Sequence, residues 1–86
     1  MKHLDDYKRY PKGKGRMIEE IIKAFDDYDN DELKDSDFIA FMAHYQNTFD
    51  IADHNFMNGN YDLDIKIANK IGKSRTERLE KMLKFT

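Results

Sequence analysis

The strongest constraint in this sequence is a stripe of apolar side chains recurring at helical spacing between residues 38 and 56. Phe38, Phe41, Met42, Tyr45, Phe49, Ala52 and Phe56 fall within a sector of roughly 100° at 100° per residue. A chain with such a stripe must bury it against other elements. Asp35 or Ser36 can cap the N-terminus by accepting a bond from a backbone N–H that would otherwise lack a partner. Gly59 supplies the positive φ at which helices commonly stop. The spacing predicts a central helix over about residues 37–58, a rod of roughly 30 Å.

The chain around this helix is short and polar. Its 86 residues leave room for one core and one domain. Hydrophobic residues make up 40% and charged residues 37%, with 6 Phe and 5 Tyr, which suits a compact polar domain better than a disordered tail. No apolar run approaches the roughly 18–20 residues of a membrane span, and the N-terminus lacks a signal-peptide stretch. The cytoplasm is therefore the expected compartment, with no membrane partner. With no Cys, disulfides, thiolate metal sites and thiol catalysis are excluded.

The flanking segments also read as helices. Ile18, Ile21, Ile22 and Phe25 share one face of a segment spanning about 16–28, which stops in the turn-favouring Asp29-Asn30-Asp31. Leu63, Ile67, Ala68 and Ile71 predict a two-turn helix over about 62–71, ended by Gly72. Ser74-Arg75-Thr76-Glu77 fits a capping box for a last helix from 75 to about 85, which buries Leu79, Met82 and Leu83. The alternation of Leu63, Ile65 and Ile67 would also suit a strand, but a lone strand has no evident partner. Residues 1–15 hold the only Pro and two of the four Gly. They read as a basic, partly flexible arm with room for a short helical turn near residues 4–10. The expected fold is all-α: four or five helices around the long central one, ending in a helical hairpin. It forms a single domain, 1–86, divided into the arm 1–15, an acidic helical core 16–59 and a basic hairpin 60–86.

The net charge of -2 hides a segregation. Residues 1–18 carry six Lys/Arg against two Asp, residues 19–64 two Lys against thirteen acids, and residues 65–86 seven Lys/Arg against two Glu. Basic ends and an acidic middle have three physical meanings: an anionic partner at the ends, a cationic partner in the middle, or ends folded back on the middle.

The closing unit carries a resemblance. Ala68-x-x-x-Gly72-x-Ser74-Arg75-x-Glu77, followed by Leu79 and Leu83, resembles the two-helix part of ribbon-helix-helix regulators. Its first half is similar to the helix-turn-helix of repressors, with Ile67, Ala68, Ile71, Gly72 and Ser74 at the small, apolar and turn positions. A ribbon-helix-helix protein has a strand just before its first helix, whereas residues 54–60 read here as a helix end and turn. The resemblance implies a small non-enzymatic regulator that contacts nucleic acid, and the small size, the richness in Lys, Asp, Asn and Ile and the lack of Cys are the grounds for expecting it to be of the bacterial or phage kind. In that reading Arg75 and Arg78 make the main contacts and Lys70, Lys73 and Lys81 steer. Ser74 with the helix N-terminus anchors a phosphate, and Lys12, Lys14 and Arg16 of the arm add a second contact. A dimer is expected only if this reading holds.

The rival expectation is a protein-binding module or inhibitor that docks on a basic host or partner protein through acidic segment 19–37, with Asp26, Asp27, Asp29, Asp31 and Glu32 as its contacts. Those acids do not make a calcium loop. Started at Asp27, the loop has Glu32 where a turn Gly is needed and Phe38 where a bidentate Glu is needed; started at Asp26, Tyr28 and Asp31 break the pattern. His44, Asp50, Asp53 and His54 carry no metal-binding motif, and Ser36 and Ser74 read as caps, so neither a catalytic group nor a cofactor is expected. A domain this small leaves much of its surface open. Part of the stripe, or Ile39, Ile51 and Met57 beside it, is then available to a partner or a homodimer, with Tyr7, Tyr10, Tyr28 and Tyr61 at the rim.

Overall fold

The computed structural model describes residues 2–84. A 3-10 turn, Leu4–Asp6, precedes α1 (Lys14–Asp29), α2 (Asp35–Phe49), strands β1 (Ala52–Asn55) and β2 (Asn60–Leu63), α3 (Ile65–Ile71) and α4 (Lys73–Lys84). The all-α expectation is overturned, because β1 and β2 pair antiparallel and make this a small α+β domain.

The correction lies inside the apolar stripe. α2 runs about 22 Å rather than 30 Å, because Asp50 turns left-handed at φ 54° and ψ 57° while its N–H donates to the Gln46 carbonyl. Asp is among the few residues that take this conformation at modest cost. Beyond the bend the register pairs Ala52 with Leu63, Asp53 with Asp62, His54 with Tyr61 and Asn55 with Asn60. The four-residue loop between the strands closes through local bonds. Asn55 Oδ1 accepts from the Met57 N–H at 3.0 Å, Asn58 Oδ1 accepts from the Asn60 N–H at 2.9 Å, and the Gly59 N–H donates to the Asn55 carbonyl at 2.8 Å. These Asx turns, with Gly59 at φ 73°, favour a reversal over a continued helix.

A two-stranded hairpin alone is marginal in water, and here both edges are closed at its base. The Gln46 amide accepts from the Ala52 N–H and donates to the Ala52 carbonyl, both at 2.9 Å. On the other edge the Glu80 carboxylate of α4 accepts from the Leu63 N–H at 2.8 Å. Ala52 and Leu63 are buried together on the inner face.

The core is aromatic where α1 meets α2. Phe25 and Phe38 meet edge to face at 4.9 Å, and Tyr28 stacks on Phe38 at 4.3 Å. α3 and α4 close it with Ile67, Ile71, Leu79 and Leu83. Residues before α1 pack on this body. Tyr7 is buried against Phe41 and its hydroxyl donates to Asp27 at 2.6 Å, while the buried Tyr45 donates to the Lys8 carbonyl at 2.6 Å.

Several helix ends differ from expectation. The residue ahead of α2 is Lys34, without a side-chain cap, and Asp35 and Asp37 lie in the first turn, where negative charge suits the helix dipole. α3 starts at Ile65, capped by Asp64, whose carboxylate accepts from the Lys66 N–H at 2.8 Å. α4 starts at Lys73, so Ser74 sits within the helix and the capping box does not form. Thr76 instead donates to the Gly72 carbonyl through its N–H at 3.0 Å and its hydroxyl at 2.7 Å. The expected extension of this helix to residue 85 lies outside the described residues. A strand does precede α3, but it pairs with β1 of the same chain.

Candidate functional site

The fold brings the two predicted sites together. α3 and Gly72 set the start of α4 against the end of α1, where the acidic run lies. Arg75 Nη2 stands 2.7 Å from Asp26 Oδ1 and 3.2 Å from Asp29 Oδ2. Arg78 grips Asp29 with both terminal nitrogens, at 2.8 and 3.4 Å. Both guanidinium groups also lie over the buried Phe25 ring, 5.3 and 5.4 Å from its centre, and Arg78 is 5.8 Å from Tyr28. Planar, weakly hydrated guanidinium suits this double role of ion pair and aromatic cover. The arginines expected to reach nucleic acid and two of the acids expected to reach a basic protein thus engage one another.

The remaining predicted residues scatter. Lys14 donates to Asp64 at 2.7 Å, tying the start of α1 to the cap of α3. Asp27 accepts from Tyr7. Asp31 occupies the left-handed position of the α1–α2 turn at φ 60°, and Glu32 is exposed beside it. Lys12, Arg16, Lys70, Lys73, Ser74 and Lys81 are exposed, and Lys12, Arg16, Lys70, Lys73 and Lys81 form no ion pair among the described residues. Of the tyrosines expected at a rim, Tyr10 is exposed, Tyr28 and Tyr61 are half-buried, and Tyr7 belongs to the core.

The pairings make stability sensitive to acid. Hydrogen bonds from Arg78 hold the Asp29 carboxyl below its usual range, and the bond from Lys14 does the same for Asp64. Both folded values lie below the unfolded ones. Their contribution is complete above about pH 4 and is lost as the pH falls through the folded values. Asp29→Asn is expected to be less stable than the parent chain at about pH 7, with the gap closing toward about pH 2. A double-mutant cycle with Arg78→Ala should return a coupling of about 0.5–1 kcal/mol, since the groups are only partly buried. A gap that stays constant across an acid titration would mean that the charge of Asp29 is not what matters.

The feature the sequence reading missed is the hairpin. Its outer end exposes Phe56 at 88% and Met57 at 97%. Phe56 meets the His54 ring edge to face at 4.6 Å, and His54 lies over Tyr61 at 4.7 Å. On the opposite face Asp53 and Asp62 stand directly across from each other, both exposed and without an ion-pair partner among the described residues. Met57 was named in sequence as a partner surface beside the stripe, but Phe56 was assigned to it. Asn58-Gly59 between two alternating segments was the signal that could have found the hairpin.

Among the described residues no three His, Asp or Glu side chains converge as a bound cation would require, and no helix is long and apolar enough to cross a membrane. No family model, curated protein or solved structure matches this chain.

Proposed function

We propose that this protein is a non-enzymatic, cytoplasmic protein-binding module that engages its partner through the tip of the β1–β2 hairpin. The observation that carries the reading is the pair Phe56 and Met57, two large apolar side chains standing almost fully in water on a loop pinned by its own Asx turns. Exposed apolar residues scattered singly are ordinary, but adjacent ones on a rigid projection offer anchors at low ordering cost. The anchored base of the hairpin holds this tip in place.

The nucleic-acid reading keeps Lys12, Arg16, Lys70, Lys73 and Lys81, while its two guanidinium groups and Lys14 are engaged within the chain. Two measurements separate the readings. A photo-reactive residue at position 56 is expected to crosslink one partner in cells, and the same residue at position 34 is not. Fluorescence anisotropy with random duplex at low salt should show no binding that Lys70→Ala plus Lys73→Ala weakens. Duplex binding that falls steeply with salt and with those substitutions would favour the regulator, and equal crosslinking at both positions would remove the hairpin from the account. Met57→Ser should change stability by less than about 0.5 kcal/mol, so a crosslink from position 56 that this substitution abolishes cannot be ascribed to unfolding.

A further inference from the structure

We infer that the hairpin takes its partner by strand addition: an extended segment of the partner protein pairs its backbone with the outer edge of β1 at His54 and lays an apolar side chain beside Phe56. This rests on the protein-binding reading above and adds how the partner sits. The hydrogen bonds of the hairpin define the edge. The Asp64 N–H donates to the Ile51 carbonyl at 2.9 Å. In an antiparallel ladder the next pair, Ala52 and Leu63, then turns its backbone groups outward, Asp53 and Asp62 exchange backbone bonds, and His54 and Tyr61 again turn theirs outward.

The two outer edges differ in what meets them. The edge of β2 lies against α4, where Glu80 accepts from the Leu63 N–H at 2.8 Å and Asn60, Tyr61 and Asp62 share a concavity with Glu80, Lys81 and Lys84. On β1 the Gln46 side chain accepts from the Ala52 N–H and donates to the Ala52 carbonyl, both at 2.9 Å. A side-chain amide there does what the peptide group of a third strand would do, so this edge presents its groups in pairing geometry. The next outward-facing residue is His54, whose backbone N–H and C=O have no hydrogen-bond partner among the described residues. An open edge is a template for another chain, and folds guard one with Lys, Pro, a bulge or a covering element. Between Ala52 and Met57 there is no Lys and no Pro, and the register runs without a bulge. The guards that remain are the shortness of β1, which limits the addition to a few residues, and the charge of Asp53, which lies on the face opposite His54.

Alternation also fixes what the added segment carries. His54 shares its face with the buried Ala52, and the Phe56 ring meets His54 edge to face at 4.6 Å. A residue paired with His54 has its side chain on that same face, and the residue two positions along, toward the tip, comes beside the exposed Phe56. An aliphatic or aromatic side chain there covers the ring, while the backbone bonds set direction and register. In such additions main-chain bonds supply affinity and alternate side chains supply specificity. A third strand also supports a hairpin that is marginal with two.

The test uses the whole chain as bait for a displayed library of random linear peptides, followed by a synthetic version of an enriched sequence. Enriched sequences are expected to carry apolar residues at alternate positions with no Pro between them. A scan of backbone N-methylation along the synthetic peptide should find a position where binding weakens about tenfold, flanked by neighbours whose N–H groups face solvent and tolerate the methyl. The scan leaves the protein untouched, so lost binding cannot come from unfolding. His54→Pro deletes the outward N–H at a place where edge strands accept Pro and should weaken binding by at least as much, whereas His54→Ala, which keeps that N–H, weakens it less. Peptides that lose affinity with Met57→Ser but show no such N-methylation pattern would overturn this inference and leave the hairpin reading standing. A pattern that persists unchanged with His54→Pro would place the strand elsewhere and also overturn it. A library with no enrichment, or binding indifferent to both N-methylation and Met57→Ser, would overturn both readings. A dimer in sedimentation that His54→Pro dissolves would make the added strand that of a second copy and overturn the inference as well.

Discussion

Tyr45→Ala is expected to remove about half of the domain's stability. Tyr45 is wholly buried, its ring lies 4.5 Å from Phe41 and 5.4 Å from Phe49, and its hydroxyl donates to the Lys8 carbonyl at 2.6 Å. Removing a buried aromatic ring costs about 3–5 kcal/mol, and a domain of this size has on the order of 5–10 kcal/mol in total. The side chain joins three parts of the fold: the core of α2, the segment before α1, and Phe49 at the bend into the hairpin. Burial, with the nearby Glu20 carboxylate, raises the phenol above its usual range, so the hydroxyl stays a proton donor throughout ordinary conditions. Tyr45→Phe isolates that bond. It leaves the Lys8 carbonyl without its donor and should cost about 1–2 kcal/mol in a urea titration followed by circular dichroism. A Phe variant within about 0.3 kcal/mol of the parent would show that water replaces the bond and that the N-terminal segment is held by its other contacts, Tyr7 and the His44 ring against the Arg9 carbonyl among them.

The second large effect belongs to Gly72. It separates α3 from α4 at φ 91° and ψ 164°, a region that essentially only glycine occupies. No atom lies within 4 Å of where a Cβ would project, so the cost of a side chain there is backbone strain, not collision. Gly72→Ala should lower stability by about 1–3 kcal/mol. If the chain relieves the strain by turning α4, Arg75 and Arg78 move from Asp26 and Asp29, and the acid-dependent gap of Asp29→Asn shrinks in that background. The control is the same change inside α1. Gly15 has an ordinary helical backbone with open space around its Cβ direction, so Gly15→Ala is expected to stabilise by about 0.4–1 kcal/mol. Opposite signs for one chemical change would tie both effects to φ. Thermal melts of the two variants that shift in the same direction would refute the assignment.

Much of the domain was legible as periodicity. α1, α3 and α4 follow their apolar spacing to within three residues at each described end, and α2 starts close to its expected place. These segments are governed by local pattern, which sequence carries directly. The all-α expectation failed at one junction, where Ala52 and Phe56 continue the helical stripe by arithmetic. Four-residue spacing places them on the α2 face, and it also spans the length of β1. The tie is broken by Asp50 going left-handed, by the Asn55 and Asn58 turns, and by Leu63 arriving opposite Ala52. The alternation Leu63, Ile65 and Ile67 is indeed not a strand, since Ile65 and Ile67 lie in α3; the strand that forms is the unforeseen Asn60–Leu63, whose partner lies within the stripe.

Residue types, helix faces and the separation of charge along the chain were set by local chemistry and could be read in one dimension. Whether the basic ends met solvent or the acidic middle depended on contacts between residues 46 to 50 positions apart, such as Arg75 with Asp26, Arg75 and Arg78 with Asp29, and Lys14 with Asp64. Composition could state that opposite charges were available, but pairing is a property of distance, and distance follows from how α4 packs on β2, α3 and α2. Tertiary structure decided exposure as well: Phe38 and Phe56 are one residue type on one apparent stripe, yet one lies 1% and the other 88% exposed, because a left-handed Asp50 carries the second away from the core.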